Sequence, residues 1–305
     1  MNAPESPKVA AVRPKNGFVY GAAAYVLWGI LPIYFKAIAD VGALDIVAHR
    51  VLWSLPFLAL LLAFSRGWGQ VLAAARKPRI LGVLAITALL IGGNWLLYVY
   101  AVTSGHILAS SFGYYLNPLA NVLLGRFALK ERLTRLQWIA VAVAGAGISV
   151  LAAGSLGQLW ISLTLCISFA LYGLLRKVVP ASAITGLAIE TGLLFPLAMA
   201  WLAWRTVEGA PTLGSSETDT ILLVLAGIVS TTPLLLFTAA AKRLPYSTLG
   251  MLQFLAPTLQ FLIAVLIYGE PFTRAHAVAF AAIWTAIALY VVALLRSPRL
   301  PQPPE

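Results

Sequence analysis

Charged side chains are scarce in this sequence, so those that interrupt long apolar runs are the first candidates for chemistry. Glu190 lies inside the apolar stretch Ile184 to Trp204, and Arg50 inside the stretch Ile46 to Phe64. An ionisable group in such surroundings is costly and points to function. Arg50 and Glu190 are read as gating or coupling positions, because a carboxylate held there could take up and release a proton. The competing readings are that Arg50 snorkels to an interface and that Glu190 pairs with Lys177 or fills a packing defect. A second group is polar and aromatic. Asn94 and Tyr98 are four residues apart and share a helix face, just after Gly92 and Gly93. Tyr114 and Asn117 are three apart and precede Pro118, which frees a backbone carbonyl. Trp28, Trp53 and Trp95 supply flat apolar surface. Thr231, Thr232, Gln253 and Gln260 extend the set. Together these residues can line a cavity for a small molecule with polar and aromatic parts. For each singly, the alternative is an interhelical hydrogen bond or, for tryptophan, an anchor at the lipid surface.

Other chemistries lack their residues. His49, His106 and His276 are scattered without metal-ligand spacing and read as residues near span ends. Cys166 is the single cysteine, which rules out an intrachain disulfide and reads as a small packing residue. Neither an HExxH motif nor a GxxxxGK[ST] loop is present, so zinc hydrolysis and P-loop ATP hydrolysis are excluded and no cofactor is expected.

Lipid-spanning helices must position these groups. The chain has 305 residues, 61% hydrophobic and 10% charged, whereas a soluble domain carries roughly 25% charged residues. A span needs about 20 apolar residues. Suitable segments are Gly17 to Ala39, Ile46 to Phe64, Ile80 to Val102, Ile107 to Gly125 and Leu136 to Ala153. Then follow Leu159 to Leu175, Ile184 to Trp204, Ile221 to Ala241, Ser247 to Tyr268 and Ala275 to Leu295. Prolines 32, 56, 118, 196, 233 and 257 fall inside them and are tolerated as kinks. Of 21 Lys and Arg, 17 lie on the side of the two termini; Lys36, Arg205 and Arg274 lie opposite, and Arg50 is inside a span. The positive-inside rule then makes both termini cytoplasmic. The net charge of +11 is spread over short clusters between spans, which argues against nucleic acid as a partner. The first apolar run is too long for a signal-peptide core and reads as a retained span.

The sequence also repeats itself. Ala24 to Gly29 resembles Ser168 to Gly173 at an offset of 144, and Arg50 with Pro56 matches Glu190 with Pro196 at 140. Glu131 to Arg135 matches Glu270 to Arg274 at 139, as Pro118 matches Pro257. Thr134 and Thr273 fit as helix N-caps, and Glu131 and Glu270 read as capping or loop residues rather than catalytic ones. Five spans is an odd number, so the second half enters the membrane inverted. The fold expected is an all-α polytopic membrane protein of ten transmembrane helices in a five-plus-five inverted repeat. Its parts are a tail 1–16, repeats 17–153 and 154–296, and a tail 297–305.

The His49-Arg50 pair, Ile91-Gly-Gly-Asn-Trp-Leu-Leu97, Gly113-Tyr-Tyr-Leu-Asn-Pro118 and Leu129-Lys-Glu-Arg132 resemble RarD-type proteins. These form part of the EamA branch of the drug/metabolite transporter superfamily, and the resemblance runs from about Gly17 to Arg296. It implies a central cavity between helices one to four and six to nine, with helices five and ten packed together as scaffold. Spans five and ten independently look like packing elements, carrying no charge between Trp138 and Ala153 or between Ala277 and Leu295. The function expected is secondary transport of small metabolites or amphiphilic drugs, as an exporter in the bacterial inner membrane working by alternating access. The expected partners are a small-molecule substrate and the lipid bilayer; the oligomeric state stays open, and a monomer is compatible. An intramembrane enzyme and a membrane scaffold or sensor are the alternative classes.

Overall fold

The computed structural model describes residues 14–38, 40–103, 107–152, 159–209, 213–214, 216–269 and 274–296. Within them lie twelve helices: α1 (Pro14–Ala37), α2 (Ala43–Phe64), α3 (Trp68–Ala75), α4 (Pro78–Thr103), α5 (Ile107–Phe127) and α6 (Arg135–Ala152). The chain continues through α7 (Leu159–Val178), α8 (Ala183–Val207), α9 (Glu217–Ala241), α10 (Tyr246–Gln253), α11 (Leu255–Leu266) and α12 (Arg274–Arg296). Seven of these, α1, α2, α4, α7, α8, α9 and α12, are long and apolar enough to cross a membrane. The chain is a multi-pass helical membrane protein. A hydrocarbon environment offers no water to the backbone, so apolar runs of this length must satisfy their own N–H and C=O groups as helices. Large apolar side chains such as Leu89, Leu197 and Leu266 remain on the outer surface, where lipid accepts them.

Local chemistry sets the helix ends. Ser216 and Asp219 form a reciprocal capping box at the start of α9, and the Ser182 hydroxyl accepts from the Thr185 N–H at the start of α8. Thr134 caps α6 as expected, its hydroxyl accepting from the Gln137 N–H while Gln137 accepts from the Thr134 N–H. Two features depart from the sequence reading. The short helix α3 occupies what reads as a basic connection, with Val71 and Ala74 packed toward Ile80, Leu84, Val179 and Ile189. The stretch read as one ninth span is two helices meeting at Phe254, which ends α10 and begins α11. Pro257 explains the break: lacking an N–H, it cannot bond the Gln253 carbonyl, and its ring crowds that oxygen. His106, Glu270 and Thr273, with most of both tails, lie outside the described residues.

Helices preceding residue 153 pack chiefly on helices following residue 159: α1 and α2 on α9, α2 on α8, α4 and α5 on α7, and α5 on α10. The most extensive contact is between α6 and α12. Ala140, Ala144 and Ile148 meet Ile283, Ala286 and Tyr290 there. A Cβ on Gly147 would stand 2.7 Å from that of Ala282 and 3.1 Å from the Ala279 carbonyl oxygen. Small residues allow this approach, and van der Waals packing rather than hydrophobic burial holds helices together in lipid. A second core joins Tyr25, Phe169, Tyr172, Phe237 and Tyr246 from four helices. Its buried hydroxyls are used: Tyr246 donates to the Ala170 carbonyl at 2.7 Å and Tyr25 to that of Leu249 at 3.2 Å.

Candidate functional site

Arg50 projects from α2 over the face of Trp95 on α4, with 4.2 Å from guanidinium to ring centroid. Its Nε–H is enclosed and meets no acceptor among the described residues. Tyr34, Tyr98 and Tyr114 lie within electrostatic reach of it. Tyr98 and Tyr114 meet edge to face at 5.7 Å. The Tyr114 hydroxyl donates to Asn94 Oδ1 at 3.2 Å, and Asn94 Nδ2 donates to the Leu165 carbonyl and Ser168 Oγ, both at 2.9 Å. The helix spacing does this work: Asn94 and Tyr98 share a face of α4, as the sequence requires, and the asparagine fastens that face to α7. The guanidinium, by contrast, is poorly compensated. A cation–π contact contributes about 0.5–2 kcal/mol, while enclosing an unpaired guanidinium costs several kcal/mol. Among the described residues no carboxylate pairs with Arg50. At the same end Asp45 is taken by Arg205 at 3.2 Å and by the Trp201 indole N–H at 2.9 Å. Five of the residues singled out in the sequence, Arg50, Asn94, Trp95, Tyr98 and Tyr114, thus converge. Tyr34 joins them unforeseen, since nothing in its spacing marks it.

The other candidates lie in different seams. Thr231 donates to Ser54 Oγ at 2.7 Å between α9 and α2, and Ser54 in turn bonds the Arg50 carbonyl. Gln253 accepts from Asn121 at 2.8 Å between α10 and α5. Trp28 belongs to an aromatic cluster with Tyr25, Phe169 and Phe237, and Gln260 donates to its carbonyl. Trp53 has a buried indole N–H, and Asn117 a fully buried amide, neither with a hydrogen-bond partner among the described residues. A groove of about 560 Å³ runs between α1 and α9, lined by apolar residues with Tyr34 and Thr232. It touches the Arg50 cluster only through Tyr34.

Glu190 sits at the other end, where the basic residues gather. Its partner is Arg176 rather than Lys177, with Nε 3.4 Å from Oε1. Thr87 donates to Glu190 at 2.5 Å and Tyr172 at 3.4 Å, while Arg176 also donates to the Ala183 carbonyl at 3.0 Å. Lys177 donates to the Ala241 carbonyl that ends α9 and to the Leu244 carbonyl beyond it, and Lys242 donates to Val179 past the end of α7. Each helix thereby receives a cation at its negative C-terminus from the other. Burial, with Arg176 and Lys177 nearby, pulls the Lys242 ammonium down to about 8. Glu131 closes the same region by capping α10. It accepts from the Tyr246 and Ser247 N–H groups and the Ser247 hydroxyl. Cross-chain bonding of this kind leaves no local sequence pattern.

A partly buried polar and aromatic cluster inside a bundle of apolar helices is compatible with a membrane transporter, and comparison with known proteins supplies the family. The model of the EamA-like transporter family matches residues 15–153 and again 155–292. The chain belongs to that family, and within it to the RarD type. It is 43% identical over 290 residues to Protein RarD of Escherichia coli, covering 92% of this chain and 96% of that one. An uncharacterized transporter of Pseudomonas aeruginosa is 46% identical over 303 residues, covering 97% and 100%. The Chloramphenicol-sensitive protein RarD of the same organism is 35% identical, covering 90% and 93%. A crystal structure of a protein 21% identical shares the fold, with a TM-score of 0.72 over 94% of this chain and 100% of that one.

Proposed function

We propose that the protein is a secondary transporter, and not an enzyme, exporting small metabolites or amphiphilic drugs across the bacterial inner membrane by alternating access. The observation that carries this reading is the cluster of Arg50, Asn94, Trp95, Tyr98 and Tyr114, which gathers hydrogen-bonding and aromatic groups inside apolar helices. Ten transmembrane helices in two inverted repeats, 17–153 and 154–296, with cytoplasmic termini, suit it. The two successive family matches and the basic residues at one end support that arrangement. Arg50, Asn94, Tyr98 and Tyr114 contact the substrate. Trp28, Thr231 and Gln253 join helices around it, and Trp53 and Asn117, whose buried polar atoms have no partner among the described residues, extend the cavity lining. Glu190 serves the gate: its ion pair with Arg176, beside the paired lysine caps of α7 and α9, holds the basic end closed. The reading is tested with purified protein in proteoliposomes, by counterflow of labelled amino acids, nucleobases and chloramphenicol. Saturable, protein-dependent counterflow that is lost on Tyr114→Ala supports it. Absence of counterflow for every probe by folded protein refutes it.

A further inference from the structure

We propose that the substrate is an organic monoanion, a carboxylate carried on a flat apolar body, and that Arg50 is the group that receives it. This names the substrate class of the transport site above and rests on that reading. One face of the Arg50 guanidinium is covered by Trp95, which leaves its edge and its other face for a ligand. That edge includes the Nε–H, which is enclosed and without an acceptor among the described residues. A carboxylate matches the edge of a guanidinium in plane, with two parallel hydrogen bonds. An enclosed cation with no carboxylate partner is a costly arrangement, and a bound anion removes that cost at the moment of binding.

One guanidinium balances one negative charge, which suits a monoanion. Lys36 stands over the Tyr268 ring at 3.8 Å and Arg205 is held by Asp45, so neither supplies a second free cation for a phosphate dianion. The walls select the rest of the molecule. Tyr98 and Tyr114 meet edge to face within electrostatic reach of the guanidinium, as does Tyr34 from α1. The Tyr34 hydroxyl is already committed to the Leu222 carbonyl at 2.7 Å, and that of Tyr114 to Asn94 at 3.2 Å. The Tyr34 and Tyr114 rings therefore offer apolar surface rather than free donors, which suits an aromatic or alicyclic body.

The test is equilibrium binding of labelled phenylacetate to the purified full chain, beside its uncharged isostere phenylacetamide and the cation phenethylamine. The expected result is saturable phenylacetate binding at least about tenfold tighter than that of either analogue. Arg50→Gln is expected to erase the preference and Arg50→Lys to retain part of it, which separates loss of charge from loss of fold. Equal binding of acid and amide, no saturable phenylacetate binding, or an undiminished preference in Arg50→Gln overturns the inference. Counterflow of neutral or cationic probes without any carboxylate preference would keep the transporter reading and sink this one. Carboxylate-selective binding without counterflow of any probe would do the reverse.

Discussion

Removing the Glu190 charge while keeping its shape, as in Glu190→Gln, tests the ion pair that Glu190 forms with Arg176. The two side chains are 0% and 1% exposed, so the Arg176 charge would remain with neither counter-ion nor water. Breaking such a pair from one side costs about 3–5 kcal/mol. The bonds from Thr87 and Tyr172 offset little of this, because an amide oxygen accepts them about as a neutral group does. Arg176→Met, which fills the same slot with an adaptable apolar chain, strands the carboxylate and should cost a similar amount. The double variant removes both charges and should recover to within about 1–2 kcal/mol of the parent, giving a coupling energy above about 3 kcal/mol. Reversible denaturant unfolding in mixed micelles, followed by tryptophan fluorescence, measures the cycle. Additive single effects, or a Glu190→Gln protein within about 1 kcal/mol of the parent, would refute the reasoning. If Glu190→Gln instead leaves stability intact and abolishes only gradient-driven accumulation, Glu190 is a proton-coupling group.

Three further outcomes follow from the packing. Gly227→Ala places a Cβ against the Trp53 backbone and 2.6 Å from the Ser54 N; α2 and α9 must part, and unfolding free energy should fall by at least about 2 kcal/mol, whereas Gly93→Ala, with open space around it, should change it by less than about 1 kcal/mol. Glu131→Gln turns an amide donor toward the donors it caps, so exchange of the Tyr246 and Ser247 amides should quicken by about 10–100-fold in hydrogen-exchange mass spectrometry; Ser247→Ala, which loses one of the three bonds, should do less. The Lys242 ammonium titrates near 8 in the folded chain against 10.5 when free. The folded state then binds fewer protons across that window, so Lys242 contributes stability that grows as pH rises from 8 to 10.5. The Tm of Lys242→Met should lie closer to that of the parent below pH 8 than above 10, or exceed it there; parallel Tm curves would contradict the assignment.

What could be read in advance was whatever repeats locally. Apolar runs announce helices because lipid leaves the backbone no other partner, and Thr134 with Gln137 announces a cap because both ends of the bond lie within one turn. The shared face of Asn94 and Tyr98 follows from 3.6 residues per turn. Partner choice did not show. Arg176 and Lys177 look equivalent as adjacent cations at a span end, yet their directions on the helix differ: one turns inward to Glu190 and the other to the end of α9. Tyr34 resembles any interfacial aromatic until α2 brings Arg50 beside it. The break at Phe254 was foreshadowed by Pro257 but read as a kink, because nothing local says whether a helix bends or divides.

The seam between α6 and α12 has a consequence for biosynthesis. α6 is synthesised well before the helix that fits it, Arg274–Arg296, since α7 to α11 come between them. Its small-residue stripe therefore faces lipid throughout synthesis of the intervening segments, a surface too shallow to attract a wrong neighbour strongly. A nascent chain stalled ahead of Arg274 keeps that groove vacant, so a lesion in α12 deprives α6, in the other half of the chain, of its packing partner.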